Sequence, residues 1–220
     1  MTKAEKVVDR LIEIYGQLTW KEDNAFHVLV RTILSQNTND RNMKIASRNL
    51  FSRFKTPEEI SKADAGKLAA LLRPGGLHNI KAKRIIDISK LIAEKYGDLN
   101  KVVQKNVDVA RADLLSIKGI GPKTADCVLL FSGAHNVLPV DTHVFRVAHR
   151  LGLVPKNADH EAVKAALESQ ISPRKLGSAH SALIAFGREY CRSRHPICGE
   201  CPLVDLCEFK NLPSKQSNEK

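Results

Sequence analysis

Hydrophobic residues recur at three- and four-residue intervals in block after block of the chain, with polar residues between them, the signature of amphipathic helices. Val7, Val8, Leu11, Ile12 and Ile14 lie at this spacing between residues 3 and 15, and Gly16 supplies the stop. Asn24 can cap a second helix, whose apolar face runs through Phe26, Leu29, Val30 and Ile33 to end near Ser35-Gln-Asn-Thr-Asn39. A third reaches to about Phe54. Thr56-Pro-Glu-Glu59 holds a cap, a proline at the first helical position and a carboxylate three residues after the cap, which together make a capping box.

Asp64 to Leu72 reads as a short helix closed by Arg73-Pro-Gly-Gly76, and Asn79 to Tyr96 as a long one ended by Gly97. Leu77 is left on a glycine-rich turn between them. Asp108 is expected to cap a helix leading to residue 115, Asp141 one from Thr142 to about Leu151, and two more follow near 158–170 and 174–190. No stretch alternates with a two-residue period long enough to make a strand, so the fold class is all-α. Asn211 to Lys220 reads as a polar tail, and neither an internal repeat nor a low-complexity linker marks a boundary. The length of 220 residues, 43% hydrophobic, suits one large domain or two small ones.

Leu115-Ser-Ile-Lys-Gly-Ile-Gly-Pro-Lys-Thr-Ala125 reads as helix, tight hairpin, helix. Gly119 and Gly121 allow backbone angles that side chains forbid and carry no side chain to block a phosphate, and Pro122 presets the first turn of the following helix. Such a turn points N–H groups outward at the positive end of a helix dipole, where they suit a phosphate oxygen. Lys123 stands one residue inside that helix. A phosphate cradle beside an amine suggests a protein that grips a nucleic-acid backbone and does chemistry there. A solvated lysine, one of 35 basic residues, is the plainer reading of Lys123 taken without its hairpin.

The charge balance agrees, because 35 Lys plus Arg against 24 Asp plus Glu gives +11, which favours a polyanionic partner. Met1-Thr-Lys-Ala-Glu5 opens a charged amphipathic segment unlike a secretory signal, and no run approaches the ~18 apolar residues of a membrane span. The expectation is a soluble intracellular protein, cytoplasmic and nucleoid-associated in a prokaryote. Cys191, Cys198, Cys201 and Cys207 are spaced C-x6-C-x2-C-x5-C, so one short segment offers four thiolates to one metal centre. Zinc and an iron–sulfur cluster both satisfy the soft-ligand rule, and one close pair with two wide arms leans toward the larger cluster. Arg192, Arg194 and His195 lie between the first two cysteines, where a metal that fixed the loop would fix cations able to meet phosphates. Cys127, the fifth cysteine, reads as a buried small hydrophobe.

The hairpin Leu115 to Ala125, the stretch Val140-Asp-Thr-His-Val-Phe-Arg146 and the Cys191 to Cys207 loop, in this order and at these distances, resemble endonuclease III. That family comprises bifunctional DNA glycosylases and abasic-site lyases of the helix-hairpin-helix superfamily. The resemblance runs from about residue 24 to 209 and implies two helical domains flanking a DNA groove: a six-helix barrel over 20–136, with the helix-hairpin-helix at about 108–134, and a domain of 1–19 plus 137–220 around a [4Fe–4S] cluster held by the four cysteines. It also implies a monomer acting on double-stranded DNA that contains oxidised or saturated pyrimidines or abasic sites.

By the same resemblance Lys123 falls on the nucleophile and Asp141 on the catalytic carboxylate. A neutral amine can attack the sugar carbon that bears the base, expel the base and form an iminium that permits loss of the 3′ phosphate by β-elimination. A free lysine titrates near about 10.4, so such a site must favour the neutral form. A helix N-terminus and desolvation under DNA act in that direction, and a nearby carboxylate opposes them. Asp141 then suits stabilising positive charge on the sugar or relaying a proton, and capping its helix is its plainer role. His143 and Arg146 suit holding structure or phosphate. The target base must leave the stack, and Gln36, Asn37 and Leu77 are the candidates to fill the hole, with Gly119, Gly121, Arg192 and Arg194 as further DNA contacts. Many relatives carry glutamine where Asn37 falls, so which of Gln36 and Asn37 fills the gap stays open. The adenine-mismatch glycosylase of the superfamily lacks the lysine and has a carboxylate on the second helix, whereas Phe26 to Gln36 contains none. The lysine likewise disfavours a thymine-mismatch glycosylase, and the Lys123 and Asp141 pair separates an enzyme from a DNA-binding module with a structural metal.

Overall fold

A computed structural model describes residues 1–17 and 23–211, and among these every regular element is helical, as the pattern predicts. The α-helices are α1 (Lys3–Tyr15), α2 (Ala25–Ser35), α3 (Asp40–Phe51), α4 (Pro57–Ser61), α5 (Ala65–Leu72), α6 (His78–Lys95), α7 (Leu99–Val103), α8 (Val107–Leu115), α9 (Pro122–Phe131), α10 (Thr142–Leu151), α11 (His160–Gln170) and α12 (Leu176–Glu189). The chain divides into two compact units: Trp20–His135 forms one, and Met1–Thr19 with Asn136–Lys220 forms the other.

In the unit Trp20–His135, α2 is apolar nearly all round and lies inside, packed on α9, α3 and α7. Asn24 starts it, its side chain accepting the N–H groups of Phe26 and His27 at 3.0 and 3.3 Å. Helix α9 buries Ala125, Cys127, Val128, Leu129 and Leu130, so the helix that follows the glycine hairpin is a core element. Each fully buried leucine there contributes about 1.5–3 kcal/mol relative to exposure. The long α6 packs against α4 and α5. The capping box at Thr56 forms as its sequence predicts, with Thr56 Oγ1 accepting from Glu59 N at 3.3 Å and the Glu59 carboxylate accepting from Thr56 N at 3.4 Å.

Two expectations need correction, and one short helix is not foreseen by the pattern. Asn106, not Asp108, caps α8: its side chain accepts the N–H of Asp108 at 3.0 Å, which leaves the Asp108 carboxylate in the first turn beside the positive helix end. Helix α3 stops at Phe51, three residues short of the predicted end, with Ser52 and Phe54 N–H groups tied back to Arg48 O and Leu50 O. Helix α7, capped by Asp98, has five residues, too few for a helical period to register.

In the other unit α1, α10, α11 and α12 share one core, in which Val7, Val8, Leu11, Val144, Val147, Val163, Leu183 and Phe186 are buried. Cys191, Cys201 and Cys207 pack against its edge. Lys175 Nζ donates to Asp9 at 2.6 Å and Tyr15 Oη to Glu189 at 2.8 Å, fastening α1 to both ends of α12.

Candidate functional site

Ile117 and Ile120 anchor the hairpin, both buried, while Lys118 and Gly119 between them are exposed. Ile120 N donates to Ile117 O at 3.0 Å and closes the turn. Gly119 sits at φ 99°, a region where side chains are strained. Gly121 does not: its φ of −95° and ψ of 173° are open to any residue, so the backbone freedom the sequence allows is used at Gly119 alone of the two. A Cβ built on Gly121 would meet nothing within 4 Å. What glycine leaves there is clearance at the start of α9, where no side chain caps the helix.

Lys123 is the second residue of α9 and is half-buried, followed by buried Thr124, Ala125 and Asp126. Arg111 on α8 grips Asp126 with a fork, Nε to Oδ1 at 2.8 Å and Nη2 to Oδ2 at 3.3 Å, and this clamps the two helices of the hairpin together. Neither residue stands out in the sequence, since fifteen positions and a turn separate them.

The same unit holds the other three loop candidates. Gln36 ends α2, and its side-chain oxygen accepts from Arg84 Nη1 at 2.8 Å. Asn37 is exposed with φ 53°, and Leu77 is 50% exposed with φ 48°. A left-handed conformation is readily adopted by asparagine but costly for leucine, so the turn at Leu77 holds its tip under backbone strain.

Asp141 lies in the other unit and caps α10 with one oxygen, Oδ1, which accepts from His143 N at 2.8 Å and Val144 N at 2.9 Å. The buried His180 hydrogen-bonds Pro139 O at 2.8 Å through Nδ1 and braces the segment just before it. Burial lowers the pKa of the His143 imidazole, Asp141 opposing. Arg146 Nη2 donates to His143 Nδ1 at 3.0 Å and to Gly187 O at 3.0 Å, and its Nε donates to Cys191 O at 2.9 Å. Arg146 is thus a bracket between α10, α12 and the cysteine segment.

Cys191, Cys198, Cys201 and Cys207 line a single small pocket with Phe186, Tyr190 and Ile197. Among the described residues no group of three or more His, Cys, Asp or Glu is gathered tightly enough to hold one metal ion. Burial pushes the Cys201 thiol up, so a thiolate there needs coordination to stabilise it. Arg150, on the face of α10 that also bears Arg146, holds the segment from outside. Its Nη1 donates to Arg192 O at 2.6 Å and lies 3.6 Å from Cys191 Sγ, Nη2 donates to Ser193 O at 3.0 Å, and Cys207 Sγ donates to its carbonyl at 3.5 Å. Nothing in the motif spacing points to Arg150; its four-residue offset from Arg146 is the one sequence trace of a shared face. Arg192 and Arg194 are exposed, and His195 turns the loop at φ 51°.

Residues 30–173 match the model of the HhH-GPD superfamily of base excision DNA repair proteins. The chain is also 38% identical over 189 residues to endonuclease III of Thermotoga maritima, covering 86% of this chain and 85% of that one. It belongs to the HhH-GPD superfamily, as an endonuclease III-like DNA glycosylase. Endonuclease III of Sulfolobus acidocaldarius is 34% identical over 209 residues, with 94% of this glycosylase and 92% of the relative covered. A solved trapped endonuclease III–DNA covalent intermediate, an estranged-adenine complex, superposes with a TM-score of 0.80 at 26% identity, over 96% of this chain and 98% of that one. The glycosylase is thus a base-excision-repair enzyme with the endonuclease III fold. The superfamily match spans α9 and Asp141 and ends before the cysteine segment of the glycosylase. Among its described residues no helix is long and apolar enough to cross a membrane.

Proposed function

We propose that this glycosylase is bifunctional: it removes oxidised or saturated pyrimidines from duplex DNA through a Schiff base on Lys123 and then cleaves the strand 3′ to the abasic site. The observation that carries the reading is the setting of Lys123, half-buried at the uncapped start of α9, beside the clearance left by Gly121 and on a helix clamped by Arg111. The backbone that carries the amine is thereby fixed relative to the hairpin, which narrows the search for a reacting geometry. The covalent endonuclease III–DNA intermediate among the similar structures supports the same chemistry.

In this mechanism the hairpin N–H groups around Gly119 and Gly121 hold a phosphate of the damaged strand. Lys123 Nζ attacks C1′ of the extruded nucleoside as the C1′–N bond breaks and the base leaves with its electron pair. Ring opening gives an iminium, which acidifies the C2′ proton. Loss of that proton expels the 3′ phosphate, and hydrolysis of the imine frees the amine. Asp141 uses Oδ1 for the helix cap, which leaves Oδ2 to stabilise the cationic sugar or relay a proton. For the vacated base position, exposed Asn37 is favoured over Gln36, whose amide oxygen is engaged by Arg84. Leu77 wedges from the glycine turn.

The four cysteines fit a [4Fe–4S] cluster. They line one pocket, and their spacing, one close pair with two wide arms, leans toward the larger cluster over one zinc. When bound, the cluster supplies a cross-link that fixes the segment 191–207. Arg192 and Arg194 on that segment then meet backbone phosphates. The domains follow: 20–136 as the barrel that bears the hairpin, and 1–19 with 137–220 as the cluster domain. The protein acts as a monomer.

A panel of duplexes, each with one defined pyrimidine lesion, scored separately for base release and strand scission, tests the reading. Release and scission together are expected for oxidised or saturated pyrimidines. Base release that leaves the strand intact would make the enzyme monofunctional.

A further inference from the structure

Helix α6 sends two cations, one turn apart, into three different loops of the unit Trp20–His135. Lys81 is only 5% exposed, and its Nζ donates to Leu34 O at 2.8 Å and to Gly75 O at 2.9 Å. Leu34 O lies in the last turn of α2, where helix carbonyls carry partial negative charge. Gly75 O belongs to the turn that presents Leu77. Three residues on, Arg84 donates from Nη1 to Gln36 Oε1 at 2.8 Å and from Nη2 to Gly119 O in the hairpin. These acceptors are neutral oxygens, so the two cations act by geometry rather than by neutralising a carboxylate.

Chemically, the arrangement is a cross-brace. Lys81 ties the end of α2, with Gln36 and Asn37 behind it, to the turn that presents Leu77. Arg84 ties the same end of α2 to the hairpin that precedes Lys123. The packing around the brace leaves little slack: a Cβ on Gly75 would come within 3.3 Å of Ala46 Cβ and 4.0 Å of Lys81 Nζ. A Cβ on Gly119 would lie 3.4 Å from Ile88 Cδ1 and 3.7 Å from Arg84 Nε. Leu77 holds a left-handed backbone, which in a leucine persists only where surrounding contacts over-determine it.

We propose that Lys81 and Arg84 are positioning residues that lock the wedge, the gap-filling loop and the hairpin into one rigid frame, so that extrusion of the base delivers C1′ to the amine in register. The inference rests on the reading of Leu77 and Asn37 as wedge and filler and of Lys123 as nucleophile. Neither Lys81 nor Arg84 touches the reacting atoms. Each acts through the loop it holds.

Two duplexes and three variants test this. In one duplex a 5,6-dihydrouracil is paired and must be extruded and replaced; in the other a preformed abasic site faces a second abasic site, so little remains to extrude or fill. Arg84→Ala, at a half-buried position, and Lys81→Met, of matching length, are compared with wild type in single-turnover reactions, with thermal melts as the control for folding. Base release from the first duplex is expected to fall about tenfold or more, equivalent to about 1.4 kcal/mol of barrier per factor of ten, while scission of the second changes less than about twofold. A 2-aminopurine beside the dihydrouracil should lose its unstacking signal in the same variants, and Arg84→Lys, with one head for two oxygens, should restore part of it. Equal losses on both duplexes, or none on either, would overturn the inference. If Lys81→Met does not fold, Arg84→Ala decides alone. A wild-type enzyme that fails to cut the second duplex would instead sink the lyase reading, and the brace would be judged on base release and the fluorescence.

Discussion

Asp141 Oδ1 accepts the N–H of Val144 at 2.9 Å while also holding the N–H of His143. A single oxygen therefore does the capping, and a substitution can separate the cap from the charge. Asn caps as well as Asp does, so Asp141→Asn should melt close to wild type while base release falls by about 10²-fold or more. Asp141→Ala should lose the activity and about 1 kcal/mol of stability besides. Paired melts and single-turnover kinetics distinguish the two effects; an active Asn variant would leave Asp141 as a cap alone.

His143 gives the fold a pH dependence of definite sign. Burial holds its pKa below the ordinary 6.5, so the unfolded chain binds the proton first as pH falls. The contribution is present above about 6.5 and is lost as pH drops from there through the lower folded value. His143→Gln should flatten the decline in melting temperature between neutral and mildly acidic buffer. An unchanged slope would show that other groups set it.

These two residues mark what a sequence discloses. Caps, the capping box, the hairpin and the run of helices were legible because each is decided within a few neighbouring positions, as at Asn24, Thr56 and Asp141. Gly119 and Gly121 each allowed two readings, a left-handed backbone or clearance for a phosphate, and only φ assigns the first to Gly119 and leaves the second to Gly121. Arg84, Lys81, Arg111 and Arg150 were illegible for another reason. Their partners Gly119, Leu34, Asp126 and Arg192 lie between 15 and 47 residues away, so nothing local distinguishes them from solvated cations. The helical period was equally silent about α7, where five residues make barely more than one turn.

Arg150 should matter to the metal centre without ligating it. Its guanidinium holds Arg192 O and Ser193 O and lies 3.6 Å from Cys191 Sγ. Protein purified without oxygen is expected to be brown, with about four irons per chain. Arg150→Ala should lose iron and absorbance faster under a chelator while keeping its helical circular dichroism. A colourless wild-type protein that holds zinc and no iron would contradict the cluster itself.

The chemistry turns on which atom becomes bonded to DNA. Borohydride reduction of the enzyme on a duplex with one saturated pyrimidine, followed by proteolysis and mass spectrometry of the cross-linked peptide, measures this directly. The adduct is expected on Lys123, and Lys123→Ala should abolish it while the variant still binds the duplex. A cross-link on any other residue, or one that survives Lys123→Ala, would contradict the assignment of the amine at the start of α9 as the nucleophile.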